Sequence, residues 1–288
     1  MILAGGTGSR LGPVTDGVSK HLLLVHDKPM IYYPLTTLML AGVRDVTLVL
    51  NPRDEGPYRA LLGDGRDIGV SISYAIQPQP SGVPSAISVG LKSRKSADAS
   101  DEKLILILGD NIFFGPRTGG SIRQQVQQLG SKECLVFSKL VRDPSRFGVI
   151  VRDPGGEIRT VVEKPLNFQS NEAITGMYAF GSDVMQRLEH LEKSSRGETE
   201  VVDLLKTFAP GDLKTTLLSR SNFWADLGEI EALSRVSRFI ESYQETTMEL
   251  IGSPHEVAVR NGWLAKQDIN IRGSSTYWQM LDETLSLL

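Results

Sequence analysis

Along this chain of 288 residues, apolar positions recur with two different periods. Near-continuous apolar runs at Val46-Thr47-Leu48-Val49-Leu50 and Leu104-Ile105-Leu106-Ile107-Leu108 predict strands covered on both faces. Met1-Ile2-Leu3-Ala4 reads as the end of another buried strand that enters a glycine-rich turn, and Val70 to Ile76 as a further one. Between these runs, Pro29 to Gly42 has helical spacing and ends at a glycine stop. Ser85 to Leu91 predicts a short helix, and a polar helix starts near Ser121. Strand and helix signals alternating at this spacing imply βαβ units and a mostly parallel α/β sheet.

The second half adds strand candidates at Leu135–Leu140 and Ile174–Phe180. Phe147–Val151 and Ile158–Glu163 flank the turn Asp153-Pro154-Gly155-Gly156 and predict a β-hairpin. Val184–Leu191, Thr199–Phe208 and Glu229–Tyr243 have helical patterns, and from about Met248 an appended helical tail follows. The stretch 96–102 reads as a solvated loop.

Composition narrows this picture without assigning chemistry. Apolar residues at 40% and charged residues at 23% describe a globular chain with ample core. A net charge of -3 without a dominant block of like charge argues against nucleic acid or an anionic membrane as partner. The single Cys134 lies in an apolar stretch and reads as a core residue. The four histidines have no metal-ligand spacing. No basic stretch followed by a long apolar run opens the chain, so a reducing cytoplasm is the expected compartment.

In open parallel sheets ligands bind beyond the carboxyl ends of the strands. Two motifs fall on that rim. Leu3-Ala4-Gly5-Gly6-Thr7-Gly8-Ser9-Arg10-Leu11 places three glycines within four positions, so the backbone can approach a phosphate and offer its N–H groups. Arg10 and Lys20 add positive charge. A tight structural turn is the other reading. The motif lacks the Gly-Lys-Ser/Thr of a Walker loop and the spacing of a dinucleotide fingerprint. Gly109-Asp110-Asn111 follows the most apolar strand, where a carboxylate suits Mg²⁺ beside phosphates. An Asx turn is equally compatible. Asp226, in Phe223-Trp224-Ala225-Asp226-Leu227-Gly228, is either a second metal carboxylate or a helix N-cap. Lys164 in Glu163-Lys164-Pro165, Arg196 in Arg196-Gly197-Glu198, and Gln77 remain open between phosphate or base contacts and ordinary loop polarity.

Read in order, LAGGTGSRL, SKHLLLVHDKPMIYYPL, LMLAG, LLGDG, IQPQPSG, LILGDN, FGVI, EKP, ITGMY, RGE and WADLG resemble the bacterial glucose-1-phosphate thymidylyltransferases over nearly the whole chain. The resemblance implies a Rossmann-like nucleotidyltransferase fold over 1–240, with a nucleotide-binding half at about 1–120 and a sugar-binding half at about 121–240. A C-terminal helical extension would occupy 241–288. It further implies that Leu3, Gly5, Gly6, Thr7 and Gly8 hold the nucleotide, and that Arg10 and Lys20 grip its phosphates. Gln77 and Gly82 would contact the base, and Asp110 and Asp226 would hold Mg²⁺. Lys164 and Arg196 would hold the sugar phosphate, while Gly148, Glu163 and Thr175 line the sugar pocket. The expected reaction joins dTTP and glucose-1-phosphate into dTDP-glucose and releases pyrophosphate, in a homotetramer with a regulatory nucleotide site near the C-terminal helices.

The chain departs from that family at His21 (for glutamine), Ser81 (for aspartate), Pro84-Ser85 (for Ala-Gln), Phe147 (for tyrosine), Val151 (for glutamate) and Leu227 (for threonine). These departures fall on the base and sugar sides, so another nucleoside triphosphate or another sugar or cyclitol phosphate stays open. A weakened homologue that binds a sugar nucleotide as a regulatory subunit, and a glycosyltransferase, are the readings from other classes.

Overall fold

Residues 1–6, 8–79, 81–94, 102–191 and 199–287 are described by the structure, a computed structural model. Its strands are β1 Ile2–Leu3, β2 Leu24–Val25, β3 Lys28–Pro29, β4 Asp45–Leu50, β5 Ser71–Ile76, β6 Leu104–Leu108, β7 Asn111–Phe114, β8 Cys134–Leu140, β9 Gly148–Arg152, β10 Ile158–Glu163, β11 Glu172–Phe180, β12 Leu213–Leu217 and β13 Phe223–Asp226. The helices are α1 Val14–Gly17, α2 Tyr32–Leu40, α3 Glu55–Leu62, α4 Val83–Ser93, α5 Thr118–Gln128, α6 Val184–Leu188, α7 Val201–Leu205, α8 Ile230–Thr247, α9 Pro254–Arg260 and α10 Thr276–Leu287.

The main sheet runs β10-β9-β11-β6-β1-β4-β5, with β8 and β12 joined through β11. Around β1 it is parallel: β1 pairs with β4 and β6, and β4 with β5. The far half is mostly antiparallel, because β11 runs against β6, β8 and β9, and β9 runs against β10, while β12 pairs parallel with β8. This is the α/β sheet flanked by helices that the alternating pattern predicts. The apolar runs are continuous because their residues serve two cores. Ile2, Leu48, Leu50, Ile105 and Ile107 face the cluster that includes α2, α5, α9 and α10. Met1, Leu3, Val49, Leu104 and Leu106 face the cluster with Ala86, Ile87, Val184, Val202 and Leu205 from α4, α6 and α7.

Several boundaries differ from the sequence expectation. The helix expected from Pro29 starts at Tyr32, because Lys28-Pro29 pairs antiparallel with Leu24-Val25. The helix at 85–91 extends to Val83–Ser93, and that at 199–208 shrinks to Val201–Leu205. Three short strands, β7, β12 and β13, carry no period long enough to be read from sequence. Cys134 is fully buried at the start of β8, as its apolar setting predicts. The loop expected at 96–102 lies almost wholly outside the described residues. Among the described residues no helix is long and apolar enough to cross a membrane.

Candidate active site

The parallel half of the sheet delivers three segments to one rim. Gly5-Gly6 follows β1, Gln77 follows β5 and Gly109-Asp110 follows β6. Of these, Gly5, Gly6, Gln77 and Asp110 line a cavity of about 320 Å³ together with Leu3, Lys20, His21, Gly82, Val83, Ala86 and Leu108. That volume is in the range of small-ligand sites. The glycine loop is packed onto the following segment. The Thr15 hydroxyl donates to the Gly8 carbonyl at 2.9 Å. Gly8 has φ +67, and a Cβ there would meet Thr15 at 3.0 Å, so position 8 needs glycine on both counts.

Lys20 donates to Oδ2 of Asp110 across the floor of this cavity, and Oδ1 of Asp110 accepts from Asn111 Nδ2 at 2.9 Å. Burial is the largest single influence on Asp110 and opposes its ionisation, but the charges of Lys20 and His21 and the hydrogen bonds from Lys20 and Asn111 together outweigh it and hold the carboxyl below its usual range. Asp110 is thus a buried carboxylate with a cation already beside it.

Asp226 arrives from the other end of the chain through β13, which pairs antiparallel with β7 in the register Asp226 to Asn111. The Leu227 N–H donates to the Asp110 carbonyl at 2.9 Å, and Asp226 Oδ1 accepts from Gly228 N at 2.7 Å. Asp226 therefore closes a strand. The helix N-cap reading does not hold, since α8 begins at Ile230 with Glu229 as its cap. Burial raises the Asp226 pKa, and the charge of Asp110 raises it further. Two carboxylates that repel each other in this way suit a divalent cation between them. Among the described residues no cluster of three or more His, Cys, Asp or Glu is arranged for a metal. An ion here would rest on two carboxylates and complete its shell with water and substrate oxygens, the habit of Mg²⁺.

Asp226 lines an adjoining cavity of about 520 Å³ with Arg146, Phe147, Trp224 and Glu229. Arg10 reaches toward the junction: its guanidinium lies 3.1 Å from where a Cβ on Gly228 would sit, and 4.0 Å from Glu229. On the antiparallel side, Lys164 follows β10 at φ +41, with its N–H bonded to the Phe147 carbonyl and Nζ 3.4 Å from Glu163. Gly148 lies against Glu163, since a Cβ there would meet Oε2 at 3.2 Å. Thr175 is buried and spends its hydroxyl on the Phe137 carbonyl at 2.7 Å. Thr7 and Arg196 lie outside the described residues.

After β5, Gln77 donates through Nε2 to Ser85 Oγ at 3.4 Å, and Ser81 donates to the same oxygen at 2.7 Å. Gly82 sits at φ +96 with the Thr199 carbonyl where a Cβ would be. One organising residue carried no role at the level of sequence. Asn111 holds Asp110 with its amide nitrogen, while its Oδ1 accepts from Gly176 N at 3.2 Å and Trp224 Nε1 at 2.7 Å. Its position directly after Asp110 was the available signal.

A model of the nucleotidyl transferase family matches residues 1–243. The chain belongs to the nucleotidyl transferase family. It is 40% identical over 275 residues to the glucose-1-phosphate thymidylyltransferase of Neisseria gonorrhoeae, covering 94% of this chain and 92% of that protein. The enzyme of the same name from Mycobacterium tuberculosis is 40% identical over 270 residues, covering 93% and 91%. Among solved structures, a Bacillus anthracis protein provisionally named glucose-1-phosphate thymidylyltransferase, solved with sucrose, superposes with a TM-score of 0.73. It shares 33% identity and covers 83% of this chain and 93% of its own. A UDP-glucose pyrophosphorylase at 24% identity superposes at 0.69, which speaks to the fold alone. In this family setting, the glycine loop, the Lys20–Asp110 pair and Asp226 form one connected site at the strand ends.

Proposed function

We propose that this chain is a sugar-1-phosphate nucleotidyltransferase acting on dTTP and glucose-1-phosphate. The observation that carries the reading is the Lys20–Asp110 pair on the floor of the glycine-lined cavity, joined through Leu227 to Asp226 in the adjoining one. In this reading residues 1–120 carry the nucleotide half and 121–240 the sugar half, with 241–288 as a helical extension. The glycine loop, including Thr7, offers backbone N–H groups to the triphosphate. Arg10 neutralises the departing pyrophosphate, and Gln77 and Gly82 meet the base. Lys164 and Arg196 hold the sugar phosphate beside Gly148, Glu163 and Thr175. Asp110 and Asp226 hold Mg²⁺, which would supply charge neutralisation at the phosphates.

A phosphate oxygen of the sugar-1-phosphate attacks the α-phosphorus. The bond from that phosphorus to the bridging oxygen breaks, and pyrophosphate leaves with the electron pair. The attacking oxygen is already ionised, so no general base is required. The protein contributes alignment of two polyanions that repel each other and positive charge where the negative charge develops.

The second reading, a preference for a different base or sugar, draws its support from the residues around Gln77 and Trp224. Ser85 and Ser81 form the bonds that fix Gln77, and Phe147 presents a bare ring packed 5.2 Å from that of Trp224. The deciding experiment is pyrophosphate release with Mg²⁺ over a panel of triphosphates and sugar-1-phosphates. The dTTP and glucose-1-phosphate pair is expected to give the highest kcat/KM. A clear preference for another pair replaces the substrates while keeping the reaction, and no release with any pair refutes the reading. Light scattering tests the expected homotetramer.

A further inference from the structure

His21 lines the nucleotide cavity, yet the reaction as derived gives it nothing to do. Its ring is buried, with 2% of the residue exposed. A Cβ on Gly109 would lie 2.7 Å from Cδ2 and 3.1 Å from Nε2, so this edge of the imidazole packs on Gly109. The opposite edge meets a chain of hydroxyls. Nδ1 is 3.3 Å from Ser19 Oγ, and Ser19 Oγ is 3.2 Å from the hydroxyl of Tyr58 on α3. Ser19 and Tyr58 are both buried.

Proton counting fixes the direction of this chain. Ser19 Oγ is the only partner of the Tyr58 hydroxyl among the described residues. A buried hydroxyl proton left without an acceptor is costly. Tyr58 therefore donates to Ser19, and Ser19, which has one proton, donates onward to Nδ1. Nδ1 is then an acceptor, and in a neutral ring the hydrogen must sit on Nε2. Burial keeps the ring neutral, with Lys20 adding to the effect. Among the described residues nothing accepts from Nε2, and it is not among the buried polar atoms lacking a partner. It reaches the cavity.

From this geometry we propose that the relay Tyr58–Ser19–His21 locks His21 in the Nε2–H form, so that it donates a hydrogen bond to an acceptor oxygen of the bound nucleotide. The proposal rests on the reading of this cavity as the nucleotide site. His21 is the contacting group, and Ser19 and Tyr58 are positioning residues. A neutral donor adds direction where Lys20 supplies charge, and it leaves the Lys20–Asp110 pair undisturbed.

The test uses the full chain with ¹⁵N-labelled histidine. Long-range ¹H–¹⁵N spectra report which ring nitrogen of His21 is protonated, before and after saturation with dTTP. The expected result is an Nε2–H ring whose proton signal shifts on binding. Calorimetry is expected to find dTTP bound about tenfold more weakly by His21→Leu, the loss of a hydrogen bond to a charged group. His21→Gln, which restores a neutral donor, is expected to recover most of that loss. Tyr58→Phe keeps the ring that α3 places in the core and removes only the hydroxyl. It is expected to show both tautomers and a few-fold weaker binding. An Nδ1–H ring in the wild-type protein overturns the relay. Tight dTTP binding that His21→Leu leaves unchanged overturns the contact but not the proposed function. Failure of the wild-type protein to bind any triphosphate removes both.

Discussion

Asp110 and Asp226 occupy neighbouring positions but sit in different electrostatic states. Asp110 has the Lys20 ammonium on one oxygen and the Asn111 amide on the other, and it stays ionised although buried. Asp226 has the Gly228 N–H and the charges of Lys20 and Arg10 on its side, but burial and the repulsion of its neighbour prevail, and its pKa is raised. A cation would complete the second carboxylate far more than the first. Asp110→Asn leaves Lys20 without its anion, and Asp226→Asn removes one of the two carboxylates proposed to hold the metal. Each substitution is expected to lower kcat/KM by about 10²–10³-fold, the scale of losing one preorganised electrostatic partner. Pyrophosphate release at saturating Mg²⁺ measures it, with circular dichroism to show the fold intact. Near-normal rates in either variant would remove that residue from the proposed metal site. Sequence alone could name both aspartates, because each follows a distinctive local motif. Local spacing could not bring them together, and only the family resemblance did, since their meeting depends on β13 pairing with β7 across 111 to 226.

The longest helix, α8, is tied to the remainder of the molecule at one buried ion. Lys28, with a side chain fully shielded from solvent, donates to Asp27 at 2.5 Å and to Gln244 on α8 at 3.1 Å. Its ammonium also stands over the rings of Tyr33 on α2 and Tyr277 on α10, at 5.3 and 5.4 Å. One charge thus joins the β2–β3 turn, α2, α8 and the C-terminal helix. Breaking a buried pair by removing one partner strands the other charge. Lys28→Met is therefore expected to lower unfolding stability by about 3–5 kcal/mol, read from the midpoint of denaturant unfolding. A loss under ~1 kcal/mol would mean that Asp27 finds water or another donor and that the network is dispensable. At this scale the strong periods were legible: β4, β6, α8 and the β9–β10 hairpin follow from the apolar pattern. Lys28 was not, because a lysine between Asp27 and Pro29 reads as a surface turn. Only the packing of α8 and α10 over that turn buries it. The short strands β7, β12 and β13 were lost for a similar reason, since four or five residues hold too little periodicity.

Across the whole molecule, two buried histidines sit in different places and respond to acid in the same sense. Burial pushes His21 down to about 3 and His255 down to about 4. His255 packs in the C-terminal segment with Nδ1 2.6 Å from the Tyr277 hydroxyl, and its ring lies 5.0 Å from that of Trp278. In the unfolded chain both take up a proton near 6.5, their ordinary value. Between pH 6.5 and their depressed values the unfolded state holds more protons than the native one, so stability falls as pH falls. Each excess proton amounts to about 1.4 kcal/mol per pH unit. Asp226 and Glu256 act the other way, since burial raises both and lets the native state take up protons first. Comparing slopes isolates the histidine. Unfolding midpoints measured from pH 7.5 to pH 5 are expected to fall in the wild-type protein and to fall less steeply in His255→Gln. The comparison of slopes also removes the constant cost of disturbing the Tyr277 contact. Equal slopes in the two proteins would mean that His255 is protonated in the native state and that the C-terminal segment opens to water there. Because His255 touches Tyr32 and Tyr277 as well as Trp278, such opening would loosen α10 from α2, and proteolysis of the C-terminal residues at pH 5 would detect it directly.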